Sequence, residues 1–190
     1  MFYRFNYWQK IILLSVLYFF ILLFAYYLFK ISLSENRFLY IFGINLVQGW
    51  NLVLTGFLFF QSFKYFRLSK KYYERKKLET EIFFKATGVG VFRFFLINSP
   101  FRYLNKRVYL KGRSKDYLKT FIEETKQSET SHLISMICTF SIQILYLKYE
   151  CWEHFIWLTI FSILLNLYPI LLQRMNRINT YNKYPNLIDE

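Results

Sequence analysis

The chain has 190 residues, a formal charge of +13, 23% aromatic residues, six glycines and three prolines. That length holds one domain or one small bundle. A charge this positive points to nucleic acid or an acidic membrane surface, and the long uncharged runs described next favour the membrane. Two cysteines, Cys138 and Cys151, form neither a disulfide framework nor a zinc spacing. They read as an apolar filler and a loop thiol.

Residues 11–29 carry no charge over 19 positions, about the length of helix that crosses a bilayer core. Arg4 and Lys10 precede this run, as in a signal peptide, but the run is long for one and no small-residue cleavage site follows. The expectation is a retained membrane helix anchored by Tyr7 and Trp8. Residues 38–60 are uncharged over 23 positions. Within them Asn45, Gln48 and Asn51 are expected to hydrogen-bond a neighbouring helix, and Gly43, Gly49 and Gly56 to allow close packing.

The next stretch, 61–131, is strongly basic. Lys64, Arg67, Lys70, Lys71, Arg75, Lys76 and Lys77 interleave with Phe63, Tyr65, Phe66, Tyr72 and Tyr73. Such interleaving also suits single-stranded nucleic acid. Beside a membrane span it reads as contact with anionic headgroups, so no nucleic acid is expected. Residues 79–96 are too polar to span and fit an interfacial amphipathic helix, bent or broken at Gly88 and Gly90. Asn98-Ser99-Pro100 marks a turn. Residues 104–111 read as a short strand or irregular, ended by Gly112. Ser114 is a candidate N-cap for a helix with an apolar stripe at Tyr117, Leu118, Phe121 and Ile122. That helix runs on into a third uncharged run, 133–147, straight or with a kink near Ser128. A fourth run, 155–173, is joined to the third by a short loop, so the two should pair as an antiparallel hairpin.

The reading is therefore an all-α membrane protein with about four transmembrane helices in two hairpins and an amphipathic region between them. Its parts are an N-terminal hairpin at 1–60, the basic region at 61–131, a C-terminal hairpin at 132–177 and a polar tail at 178–190. With four spans, the termini and 61–131 share one side and carry 22 Lys and Arg, against 3 in the opposite loops; the 20 residues of 61–131 next to each membrane end alone carry 11. The positive-inside rule puts that side in the cytoplasm, with the chain multi-pass in a bacterial cell membrane.

Chemistry concentrates where the third span begins. Thr125, Ser128, Glu129 and His132 share one helix face, and Glu129 lies one turn from His132. A carboxylate beside an imidazole at the lipid–water boundary is suited to proton transfer, and equally suited to capping the wet end of a membrane helix. The hairpin should bring Glu124, Glu129 and His132 towards Gln173, Arg174 and Arg177. Guanidinium groups hold carboxylate or phosphate oxygens well. The Glu129–His132 spacing is also that of di-iron carboxylate bundles. Those need a second such motif, and Glu150, Glu153 and His154 have the wrong spacings, so no metal is expected. Ile137 stands where a His-x-x-x-x-Asp box would need aspartate, and no Gly-x-Ser-x-Gly elbow exists.

These residues carry a resemblance. Glu124-Thr125-Lys126 with Glu129 and His132, followed by Asn166, Pro169 and Gln173-Arg174-x-Asn176-Arg177, resembles the glycosyl-4,4'-diaponeurosporenoate acyltransferase family. Leu68-Ser69-Lys70 and Tyr73-Glu74 extend it upstream, over residues 60–177 in all. Pro169 stands one place nearer to Gln173-Arg174 than the family pattern has it, and the first span is extra to the short members. The resemblance implies an integral membrane enzyme of carotenoid biosynthesis that puts a fatty acyl group on a sugar hydroxyl of a glycosylated lipid or carotenoid. It implies no cofactor. Its partners would be a lipid-linked acceptor, an acyl donor (an acyl thioester for a cytoplasmic site) and anionic lipids. His132 would be the base and Glu129 its orienting acid. Glu124, Lys126, Asn166, Gln173, Arg174, Asn176 and Arg177 would bind substrate, with Glu124 on sugar hydroxyls and the arginines on donor phosphate or the developing oxyanion. A non-catalytic membrane subunit that scaffolds lipids or partner proteins is the alternative that composition leaves open.

Overall fold

The computed structural model describes residues 7–32, 38–62, 68–99 and 114–185. The basic and aromatic residues at 63–67, the short strand or loop expected at 104–111, and Gly112 lie outside them. Among the described residues every regular element is helical. In chain order they are α1 (Tyr7–Ser32), α2 (Phe38–Ser62), α3 (Lys70–Tyr73), α4 (Glu81–Ala86), α5 (Val89–Asn98), α6 (Lys115–Lys148), α7 (Trp152–Ser162), a π-helical turn (Ile163–Leu167) and α8 (Tyr168–Lys183).

Three stretches are long and apolar enough to cross a membrane: Phe38–Gly56, Lys115–Lys148 and Trp152–Lys183. In α1 the apolar stretch Phe19–Ile31 is shorter. The third uncharged run, only 15 residues by sequence, belongs to a single 34-residue helix without interruption near Ser128. Ser114 starts that helix, its Oγ accepting from the Tyr117 N–H at 3.4 Å.

The helices fall into two compact units, Met1–Phe66 with Ser131–Leu167, and Arg67–Thr130 with Tyr168–Glu190. The first unit is built from α1, α2, the later part of α6, α7 and the π turn. Phe29, Leu52, Tyr146 and Leu158 form its apolar centre. Polar side chains tie the helices together where lipid offers no partner. Asn45 Nδ2 donates to the Ile41 carbonyl at 2.7 Å and to His154 Nδ1 at 2.8 Å. Tyr146 donates its hydroxyl to Gln48 Oε1 at 2.8 Å and stacks on the His154 ring at 5.1 Å. Asn51 Nδ2 donates to the Ile21 carbonyl at 3.1 Å. Asn45, Gln48 and Asn51 thus each bond to another helix, as their setting in an apolar run requires, while Thr55 Oγ1 donates to the Asn51 carbonyl of its own helix at 3.0 Å. Gly56 lies against α6, where an added Cβ would meet the Ser131 carbonyl and, at 2.9 Å, the Ser135 Cβ. Gly43 has open space instead.

α6 ends in a Schellman pattern. Cys151 N–H bonds to the Tyr146 carbonyl at 2.9 Å and Glu150 N–H to the Leu147 carbonyl at 3.1 Å. The residue held left-handed there is Glu150, at φ 57°, where glycine is usual. Both cysteines are free thiols.

The second unit packs α4 and α5 on α8 around Phe84, Val89, Leu172 and Ile178. The amphipathic stretch expected at 79–96 is two short helices. Thr80 caps the first, accepting from Phe83 N–H at 3.1 Å. Gly88, at φ 72°, separates it from the second. The inner faces of these helices are buried, while Leu78, Ile82, Val91, Phe94 and Phe95 stay exposed. A face this apolar beside basic residues fits a lipid interface.

Candidate active site

The second unit buries four charged side chains together. Glu129, on α6, is fully buried. Its Oε1 accepts from Arg174 Nε at 2.7 Å and its Oε2 from Arg177 NH2 at 2.6 Å. The two arginines sit three residues apart on α8, so one carboxylate reaches both. Arg174 spends its remaining arms on the Glu79 carboxylate, through NH1, and on the Tyr72 carbonyl, through NH2 at 3.1 Å. Glu79 Oε2 in turn accepts from the Lys76 N–H at 2.9 Å. Two guanidinium groups therefore face two carboxylates, and the buried charge sums to zero. That match is what permits burial, since a lone charge in this setting costs several kcal/mol, roughly.

Aromatic rings close over the cluster. The Tyr72 ring lies 4.9 Å from the Arg174 guanidinium and the Tyr73 ring 5.5 Å from that of Arg177, within cation–π range. The Tyr73 hydroxyl also bonds to the Thr130 hydroxyl. Burial, followed by the nearby Glu129 carboxylate, pushes the Tyr72 phenol up to about 12. Lys126 is engaged by Glu123 at 2.7 Å and lies 5.9 Å from the Tyr73 ring. Glu124 is half-buried on the same helix.

Not every polar atom here is satisfied. Gln173 Oε1, Asn176 Nδ2 and Arg177 NH1 are buried without a hydrogen-bond partner among the described residues. Gln173, Asn176 and Arg177 follow the i, i+3, i+4 rule on α8 and share a face.

His132 and Asn166 belong to the first unit. Asn166 is buried in the π turn. Its Oδ1 accepts from His132 Nδ1 at 3.5 Å. With that oxygen as the acceptor, Nδ1 carries the proton and Nε2 keeps its lone pair; the ring also meets the Leu165 carbonyl. The π turn precedes Pro169, which lacks an N–H and crowds the carbonyl four residues earlier, a common cause of a π turn within a helix.

Of the residues singled out by sequence, the structure joins Glu129 with Arg174 and Arg177, and His132 with Asn166. Glu129 gives both oxygens to arginines, so the partner on the imidazole Nδ1 is an amide and not the carboxylate expected there. Glu79, the Tyr72 carbonyl and the π turn did not emerge from sequence. Glu79 sits in an irregular stretch of a basic region, where no periodicity marks it as buried. Tyr72 and Tyr73 read as headgroup contacts, yet they cover the arginines. Among the described residues no group of three or more His, Cys, Asp or Glu is placed to hold a metal ion.

Residues 69–183 match the family model for glycosyl-4,4'-diaponeurosporenoate acyltransferase. No curated protein and no solved structure matches the chain.

Proposed function

The chain belongs to the glycosyl-4,4'-diaponeurosporenoate acyltransferase family, and on that premise we propose that it is a membrane acyltransferase moving a fatty acyl group onto a hydroxyl of a glycosylated lipid or carotenoid. The observation that carries this reading is the family match over residues 69–183, which takes in His132, Asn166 and the whole buried Glu–Arg cluster. In this proposal α1 supplies a fourth span. Four spans form two hairpins in a bacterial cell membrane, with both termini and residues 61–131 cytoplasmic. The exposed apolar faces of α4 and α5 lie in the headgroup region among anionic lipids.

His132 is the general base. In the tautomer with Nδ1–H facing Asn166, Nε2 takes the proton from the acceptor hydroxyl. The hydroxyl oxygen attacks the carbonyl carbon of an acyl thioester, the new C–O bond forms, the C–S bond breaks, and the imidazolium returns its proton to the leaving thiolate. Atoms and charge balance without a cofactor. Glu129 has the part of a positioning residue: both its oxygens are committed to Arg174 and Arg177. Those arginines, with Glu124, Lys126, Gln173 and Asn176, shape the substrate site.

The test is mass spectrometry of lipid and pigment extracts from cells lacking the gene, restored with wild type, or restored with His132→Ala at equal protein level. A species heavier by one fatty acyl group should vanish in deletion and mutant, with its unacylated precursor accumulating. A deletion that changes no lipid or pigment would replace this reading with the scaffold one.

A further inference from the structure

The three unpartnered atoms on α8 have a definite chemistry. Gln173 Oε1 is an acceptor; Asn176 Nδ2 and Arg177 NH1 are donors. Their residues are only 6%, 6% and 3% exposed. Buried polar atoms are rarely left unpaired in a native protein, so each unpaired one calls for an unseen partner. Three on one face of one helix call for a common one.

Electrostatics decides what that partner is. Arg174 has no free arm: Nε, NH1 and NH2 go to Glu129, Glu79 and the Tyr72 carbonyl. Arg177 gives NH2 to Glu129, and its NH1 is buried and unpaired. Lys126 is held by Glu123 at 2.7 Å, and Arg75 Nε donates to the Glu79 carbonyl at 3.2 Å. Two buried cations already have two buried anions. A phosphate added here would bring uncompensated negative charge into a low-dielectric site. A sugar hydroxyl donates one hydrogen bond and accepts others. Adjacent hydroxyls can therefore serve two donors and one acceptor together.

We infer that Gln173, Asn176 and Arg177 form a binding site for a neutral, polyhydroxylated group, the sugar of the acyl acceptor, and that the donor's phosphates do not bind there. Calling that sugar the acceptor rests on the acyltransferase reading; the preference for a neutral polyol over an anion does not. The inference moves Arg177 from the donor to the acceptor. It also makes Gln173 and Asn176 residues that determine acceptor specificity.

The test uses full-length protein in phosphatidylcholine nanodiscs, which present no headgroup hydroxyls. Saturation-transfer difference NMR reads binding of methyl β-glucopyranoside, glycerol and methyl phosphate. The variants are Gln173→Met, which removes the acceptor at equal volume, and Asn176→Asp, which removes the donors. Melting temperatures of both variants are compared with wild type to check that they fold. The expected result is that the glucoside binds wild type, glycerol and methyl phosphate bind at least about tenfold more weakly, and each variant loses about tenfold in glucoside affinity. Preference for methyl phosphate, glycerol binding as well as the glucoside, glucoside affinity unchanged in both variants, or no probe binding at all, as when ordered water fills the site, would each overturn it. The assay needs no turnover, so it separates the two claims. Glucoside binding through these residues without acyl transfer sinks the enzyme reading alone. Acyl transfer with an unchanged acceptor KM in both variants sinks this inference alone.

Discussion

Replacing Glu129 with glutamine keeps the side-chain shape and removes one negative charge from a site where nothing else can supply it. Both Glu129 oxygens accept from guanidinium groups, at 2.7 and 2.6 Å. In Glu129→Gln one oxygen becomes an NH2 aimed at an arginine N–H, and two buried cations are left with Glu79 alone. Removing one partner of a buried ion pair costs about 3–5 kcal/mol. Two charge-assisted hydrogen bonds at ~1.5–3 kcal/mol each give a similar figure. For a chain of this size, each kcal/mol is worth roughly 2–4 °C in melting temperature, so the variant should melt about 10 °C below wild type. Circular dichroism of detergent-solubilised protein reads this over both units, whereas all four tryptophans lie in the first. Glu81→Gln is the control, because the Glu81–Lys85 pair has side chains 81% and 76% exposed and such pairs contribute little. Adding Arg177→Met to Glu129→Gln removes the stranded cation, so part of the lost stability should return. A Glu129→Gln protein that melts within about 1 °C of wild type would refute the buried four-charge cluster.

Two further outcomes follow from the packing and from Tyr72. Gly56→Ala should destabilise by about 1–3 kcal/mol in the same melting assay, since its methyl meets the Ser131 carbonyl and Ser135; Gly43→Ala, with nothing within 4 Å, should be neutral or slightly stabilising. Tyr72 has its pKa raised from 10.0 to about 12, so its stabilising part is complete below pH 10 and is lost as pH rises through about 12. Chemical denaturation across that window should show a steeper alkaline loss in wild type than in Tyr72→Phe; identical profiles would mean the phenol is not held in its neutral form by the fold.

Much of the architecture is legible in the sequence because bilayer-length apolar runs leave few alternatives. Residues 38–60 map onto α2, with Asn45, Gln48 and Asn51 bonded to other helices as an apolar setting demands. The third run looked short because its helix is half polar, and Ser114, 19 residues before that run begins, marks its true start. The break at Gly88 was legible as a glycine in an amphipathic stretch, but the fold of α4 and α5 onto α8 depends on tertiary contacts of Phe84 and Val89 that no period encodes. The same distinction governs the site. Glu129, Arg174 and Arg177 stand out by charge in an apolar neighbourhood. Glu79 does not, because a carboxylate among lysines at 70–77 looks solvated until Arg174 is seen beside it. Spacing pairs the imidazole with the nearest acid, Glu129, whereas the π turn before Pro169 carries Asn166 to Nδ1.

The most direct test of acyl transfer is made in vitro. Purified protein in nanodiscs is given an acyl thioester and the unacylated precursor that accumulates in cells lacking the gene, and product is followed by mass. Wild type should yield a species heavier by one acyl group, and His132→Ala should be slower by about 10²–10⁴-fold while remaining folded. Equal rates for wild type and His132→Ala would remove His132 as the base, and no product with any acyl thioester would contradict the account.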